Sequence, residues 1–198
     1  DFTQSILNLK NNQYLSISKP NINTVLQSYS DTSISKDHPS VTEEQSLFKL
    51  VNRIAQKNNV PERLFQKLIK TESGFNPDAK SSRGAMGLGQ LMPSTAKELG
   101  LNLKEDYSIG SVLHPESNLD ASARYLRKLF DKYTKEGISD NEAWNFAAGA
   151  YNAGMGNIAK AIEKAGTVSK WDQVAAFLPE ITGKYSSETI RYVNRLRA

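Results

Sequence analysis

An all-α globule is the fold class predicted for Val41 to Ala198, on three observations. Apolar residues there recur at i, i+3, i+4 and i+7, and no run alternates as a half-buried strand does. Helix punctuation is frequent: Pro61, Ser94, Asn118 and Asp140 stand where helices should start, Gly74 and Gly100 where they should stop. Finally, 198 residues with 38% apolar content suffice for one packed domain plus an appendage, and with no cysteine that core has no disulfide support.

Residues 1–40 form a separate polar arm, 19 of them Ser, Thr, Asn or Gln, with a linker between Ser30 and Ser40. Ile22, Val25, Leu26 and Tyr29 keep helical spacing. Two readings follow: a short amphipathic helix docked on the domain or on a second chain, or a disordered tether.

In the 41–198 domain, Thr42 and Gln45 fit a capping box ahead of Leu47, Leu50, Val51 and Ile54. Pro61 opens a second helix, PERLFQKLIKTES, that Gly74 ends. A short helix from Ser94 to Gly100 follows the glycine-rich stretch 81–93. Asn118 caps a long helix striped by Leu119, Ala123, Leu126, Phe130 and Tyr133. Asp140 caps the next, which turns Trp144, Ala147, Ala148 and Tyr151 inward. Further helices are predicted over 157–164, 171–178 and 187–197.

Composition narrows the chemistry. Without cysteine there is no thiolate nucleophile or thiolate metal site, and His38 and His114 are too few and too far apart for a histidine cluster or a serine-histidine triad. No metal or organic cofactor is expected. No run approaches 18 apolar residues, so no transmembrane segment is predicted; the initial Asp is compatible with a removed leader. The net charge of +4 fits an anionic surface or plain solubility. Its visible cluster, Arg191, Arg195 and Arg197, lacks interleaved aromatics, so no nucleic-acid partner is expected.

Glu72 is the residue that points to chemistry. At about 100° per residue, Leu64, Phe65, Leu68 and Ile69 share one face of their helix, and position 72 continues that face. Burial there disfavours the charged form, and so does the negative end of the helix dipole. A carboxyl kept protonated near neutral pH, typically by a rise to about 6, is what a general acid for glycosidic cleavage requires. The other placement is a flared helix end with Glu72 in solvent.

Around it, the stretch ESGFNPDAKSSRGAMGLGQLMPSTA carries four glycines and the amide of Gln90, a composition suited to a cleft wall that approaches an extended polymer. A phosphate cradle is disfavoured, because no Lys-Ser/Thr pair follows the last glycine. AAGAYNAGMGN at 147–157 sets Tyr151 and Asn152 among small residues, and Glu188 and Tyr192 lie one helical turn apart. Taken alone, Tyr151 reads as a core aromatic with its hydroxyl satisfied, and the last helix as a purely structural one.

Four segments in order, Glu72-Ser73-x-Phe75-x-Pro77, Ser81 to Ala96, AYNAG at 150–154 and Glu188-Thr189-x-x-Tyr192-Val193, resemble the motifs of the soluble lytic transglycosylase (SLT) domain. That domain belongs to the lysozyme-like superfamily and is similar to goose-type lysozyme. The resemblance covers Val41 to Ala198 and implies a helical lysozyme-like fold with at most a minimal sheet. It implies that Glu72 is the single catalytic acid, that Ser81 and Gln90 are polar groups near that acid or the sugar, and that Ser73, Met92, Tyr151, Asn152 and Tyr192 line the cleft.

The activity implied is cleavage of the MurNAc-GlcNAc β-1,4 bond of peptidoglycan, with closure of a 1,6-anhydro ring and an exported location at the cell wall. A hydrolytic muramidase and an inactive wall-binding module are the alternatives. Hydrolysis ordinarily needs a second carboxylate; Asp78 and Asp120 are the available acids, and neither sits in a matched motif. The arm has no counterpart in the resemblance and is free to engage an assembly partner.

Overall fold

The computed structural model describes residues 43–198, which form nine α-helices and one 3-10 turn, with isolated bridges in place of a sheet among them. The predicted arm helix around Ile22 to Tyr29 and the Thr42 cap lie outside the described residues. No described helix is long and apolar enough to cross a membrane.

Helices α1 (Glu43–Lys57) and α2 (Glu62–Ser73) pack as an antiparallel pair. The predicted stripe of α2 is the buried one: Phe65, Leu68 and Ile69 are fully enclosed. Gly74 ends α2 in the left-handed region at φ 60°, its N–H donating to Lys70 O at 3.0 Å. That conformation favours glycine, so the stop signal works as expected.

After α2 the chain runs through a lobe at 75–113 holding only α3 (Pro93–Glu98). This lobe has its own small core of Met86, Leu91, Ala96, Leu101, Val112 and Leu113, joined by Ala121. The rest is a helical body: α4 (Pro115–Lys135), α5 (Asp140–Ala153), α6 (Met155–Ala165), α7 (Trp171–Ala175), α8 (Leu178–Thr182), the 3-10 turn Gly183–Tyr185 and α9 (Ser186–Arg197). α5 is central, packing along α4 on one side and α9 on another. Gly149 in α5 is small because Trp171 rests on it; a Cβ there would come within 2.2 Å of the indole. The small residues before Tyr151 thus serve packing as well as a thin cleft wall.

Two predicted caps move. The long helix starts at Pro115, three residues before Asn118, with Pro in the first turn and His114 Nδ1 accepting from Ser117 N at 3.2 Å. Asn118 is instead fully buried inside α4. Asp140 is the first residue of α5, and Ser139 holds the cap position without a side-chain bond. The helix predicted over 171–178 divides into α7 and α8, because Pro179 sits in the first turn of a new helix.

Candidate active site

Four elements bring polar side chains to one cleft of about 520 Å³: the end of α2, the glycine-rich segment 81–92, the end of α5, and α9. Glu72, Ser81, Gln90, Met92, Tyr151, Asn152 and Tyr192 all line it. Ser73 does not: its hydroxyl turns back onto its own helix and donates to Ile69 O at 3.1 Å.

The Glu72 carboxyl is the focus. Its Oε1 accepts a 2.6 Å hydrogen bond from the Tyr192 hydroxyl, so α9 reaches across to the last turn of α2. Burial raises its pKa from 4.5 to about 7; the Tyr192 bond opposes that rise and the charge of Glu188 adds to it. Of the two placements open from the helix alone, the structure is nearer the first: Glu72 is half-buried, with its remaining surface opening on the cleft. Tyr192 itself is held well above the ordinary tyrosine value, by burial first and then by the Glu72 charge, so it stays a donor. Tyr192→Phe removes the one named influence that favours ionised Glu72. The Glu72 pKa is then expected to climb by roughly one unit, as read by carboxyl NMR titration, since a hydrogen bond to a charged group is worth about that much; an unchanged titration would contradict this geometry.

The glycine-rich segment is held by contacts that local sequence does not reveal. Asn118, from inside α4, accepts from Gly89 N at 2.8 Å and donates to Val112 O at 2.8 Å and Met86 O at 3.2 Å. The Tyr151 hydroxyl donates to Gly89 O at 2.7 Å, which commits it to the loop backbone. A Cβ at Gly89 would fall 1.9 Å from Ser122 Oγ and 2.9 Å from the Tyr151 oxygen. Gly89 therefore permits the close approach of loop to helices.

Gln90 adopts a left-handed conformation at φ 48°, unusual for a residue with a side chain, and its amide nitrogen donates to Ala79 O and Gly87 O, both at 2.9 Å. That leaves the amide oxygen as the group it can offer the cleft. Ser81 Oγ accepts from Ala85 N at 3.0 Å, and Asn152 Oδ1 accepts from Thr189 Oγ1 at 2.8 Å.

The acids weighed from sequence as partners of Glu72 are elsewhere. Asp78 accepts from the Tyr107 hydroxyl at 2.6 Å in the lobe. Asp120 is engaged by Lys57 and Arg124, each at 2.9 Å; although burial opposes it, the bonds from Lys57, Asn58 and Arg124 hold its carboxyl below the usual range. The second cleft carboxylate is Glu188, accompanied by the cations Arg83 and Arg195. Its spacing to Tyr192 was the available signal, since one face of α9 carries 188, 192 and 195.

Residues 49–174 match the family model of the Transglycosylase SLT domain. The chain is 31% identical over 152 residues to the Membrane-bound lytic murein transglycosylase F of Aeromonas hydrophila, a match that covers 75% of this chain and 28% of that protein. It is 29% identical over 116 residues to the Soluble lytic murein transglycosylase of Escherichia coli K12, covering 58% of this chain and 18% of that one. The solved structure of an inactive glutamate-to-glutamine mutant of Lytic Transglycosylase Slt from Pseudomonas aeruginosa superimposes with a TM-score of 0.59 at 25% identity, over 75% of this chain and 23% of the other. The 70 kDa soluble lytic transglycosylase of Escherichia coli gives 0.55 at 26% identity, over 75% and 22%. The chain spans less than a third of the length of each of these relatives. With the family model matching well over half of the chain, the protein belongs to the Transglycosylase SLT domain family.

Proposed function

We propose that this chain is a peptidoglycan lytic transglycosylase whose catalytic unit spans 41–198, with residues 1–40 as an appendage, and that it works on the cell wall after export. The observation that carries the reading is the Glu72 carboxyl: it opens on a sugar-sized cleft, is bonded to Tyr192, and has a pKa of about 7. A group that must serve as acid and then as base needs both protonation states within reach near neutrality. The murein-cleaving activity in the names of the relatives supports the same reading.

In this mechanism Glu72 protonates the oxygen linking MurNAc to GlcNAc as the bond from that oxygen to C1 of MurNAc breaks. The N-acetyl oxygen of the same MurNAc stabilises the developing cation. Its 6-hydroxyl then attacks C1, and its proton passes to the Glu72 carboxylate, which restores the acid. No water is consumed. Tyr192 keeps the carboxylate oriented between the two transfers, and Gln90 and Asn152 offer amide groups to the acetamido or lactyl portions of the sugar. Ser81 and Met92 flank that position, and the Tyr151 hydroxyl acts by fixing the loop through Gly89.

A hydrolytic muramidase is the second reading, and Glu188 is the observation behind it: a carboxylate in the same cleft is what activation of a water requires. Mass spectrometry of digested peptidoglycan separates the two. Anhydro ends lighter than the reducing sugar by one water are the expected product; hydrated reducing ends would replace the transglycosylase reading with the muramidase one.

A further inference from the structure

A second concave surface, of about 570 Å³, runs along the outer side of α4 beside Asn58 and shares no residue with the cleft. Five cations line it: Arg124, Arg127, Lys128, Lys132 and Lys135. At about 100° per residue these positions, with Asp131 among them, share one face of the helix, while Ser122, Leu126 and Leu129 turn into the body. Two carboxylates, Asp131 and Glu136, complete the lining. The groove thus keeps an excess of three positive charges on a chain whose whole net charge is +4. Read along the sequence the cations look dispersed; the helix gathers them.

The cations are unequally engaged. The guanidinium of Arg124 donates to Leu99 O, and that of Arg127 to Asn59 O, each at 3.0 Å, so main-chain carbonyls hold both planes in place. Arg124 also pairs with Asp120, Arg127 with Asp131, and Lys132 with Glu136. Lys128 and Lys135 are exposed and have no ion pair among the described residues. Fixed guanidiniums flanked by free ammonium groups suit an anion repeated along a chain. The aromatic rings nearby, Phe130 and Tyr133, are buried beneath Arg127 and Lys132 and offer no open face on which a base could stack.

We infer that this groove binds a linear polyanion with phosphodiester charges on a polyol or sugar backbone, holding the chain against an anionic matrix by a surface other than the cleft. Nucleic acid is the weaker fit, for want of a stacking surface. Because the readout is binding, the inference stands or falls apart from the activity proposed above.

The test measures binding of the full chain to poly(glycerol phosphate), with oligodeoxythymidylate and uncharged dextran as comparators, across a salt series. Lys128→Glu combined with Lys135→Glu is expected to weaken poly(glycerol phosphate) binding by about 10-fold or more. It should also flatten the slope of log affinity against log salt by about 1.4, the loss of two phosphate contacts. A control, Arg63→Glu with Lys160→Glu, makes the same change in net charge at two exposed residues outside the groove and is expected to alter binding by less than about 3-fold. Both double variants should melt with the wild type, since all four positions are exposed. Equal losses in the two variants, tighter binding of oligodeoxythymidylate, or no binding of poly(glycerol phosphate) at low salt would each overturn the inference.

Discussion

Glu72→Gln is expected to abolish glycan cleavage and, at pH 8, to make the protein more stable than the wild type. The activity loss should reach at least the roughly 10²- to 10⁴-fold that a general acid-base group supplies, because in the proposed mechanism one residue serves both proton transfers. The stability gain follows from the pKa. The folded value of about 7 lies above the ordinary 4.5, so the folded state increasingly resists the loss of that proton as the pH rises. Below 4.5 both folded and unfolded chains carry the proton and the wild type loses nothing. Between 4.5 and 7 the unfolded chain ionises first and stability falls; above 7 the full difference, about 3 kcal/mol, has been lost. Gln cannot ionise and escapes that loss. Melting temperatures at pH 8 should therefore differ by roughly 6–12 °C in favour of the variant, with the gap closing as the pH is lowered to 4. A variant equally stable at pH 4 and pH 8 relative to the wild type would mean that the carboxyl is not held in the buried state described.

Asn118→Ala should be strongly destabilising for the loss of a single polar side chain. One side chain makes three buried hydrogen bonds, to Gly89 N, Val112 O and Met86 O, and so ties the lobe to α4. Alanine leaves the Gly89 amide and the Val112 carbonyl without these partners in a space that excludes solvent, while Met86 O keeps its bond from Leu91 N at 3.1 Å. The expected cost is roughly 3–5 kcal/mol, read as a lowered urea midpoint at unchanged slope. Activity should fall as well, in the fraction that remains folded, because Gly89 is also the residue to which Tyr151 is bonded. A cost below about 1 kcal/mol would show that the loop finds its shape without this residue.

What could be read from sequence followed the range of the interactions. The stop at Gly74 and the stripes of α2 and α4 depend on neighbours within two turns, and helical spacing exposes them directly; the same spacing put Glu72 on the apolar face but left open whether anything covers it, which the crossing of α9 decides. Asn118 was misplaced because its partners lie in the lobe, far along the chain, and an asparagine ahead of an apolar stripe resembles a cap; Pro115 carried the better signal. In the sequence Tyr151 reads both as a core aromatic with its hydroxyl satisfied and, by resemblance, as a cleft residue; it is both, but its partner, Gly89 O, is a contact made only once α5 docks on the lobe. Glu188 was visible as a neighbour of Tyr192, but its nearness to Glu72 is a product of how α9 crosses α2. The set of residues in the cleft was thus largely legible from motifs, while the division of labour among them required coordinates.

The contact between α9 and Glu72 has a thermodynamic corollary. In water this carboxyl would be an anion at pH 6; enclosed in the fold it is mostly neutral, even though the Tyr192 bond favours the anion. Folding that encloses this carboxyl is therefore accompanied by proton uptake, favoured by mild acidity and opposed by alkali, with the Tyr192 bond working against it. In the proposed mechanism the acid is thus readied by folding itself, so that the completeness of the fold and the protonation of Glu72 are reported by a single titration.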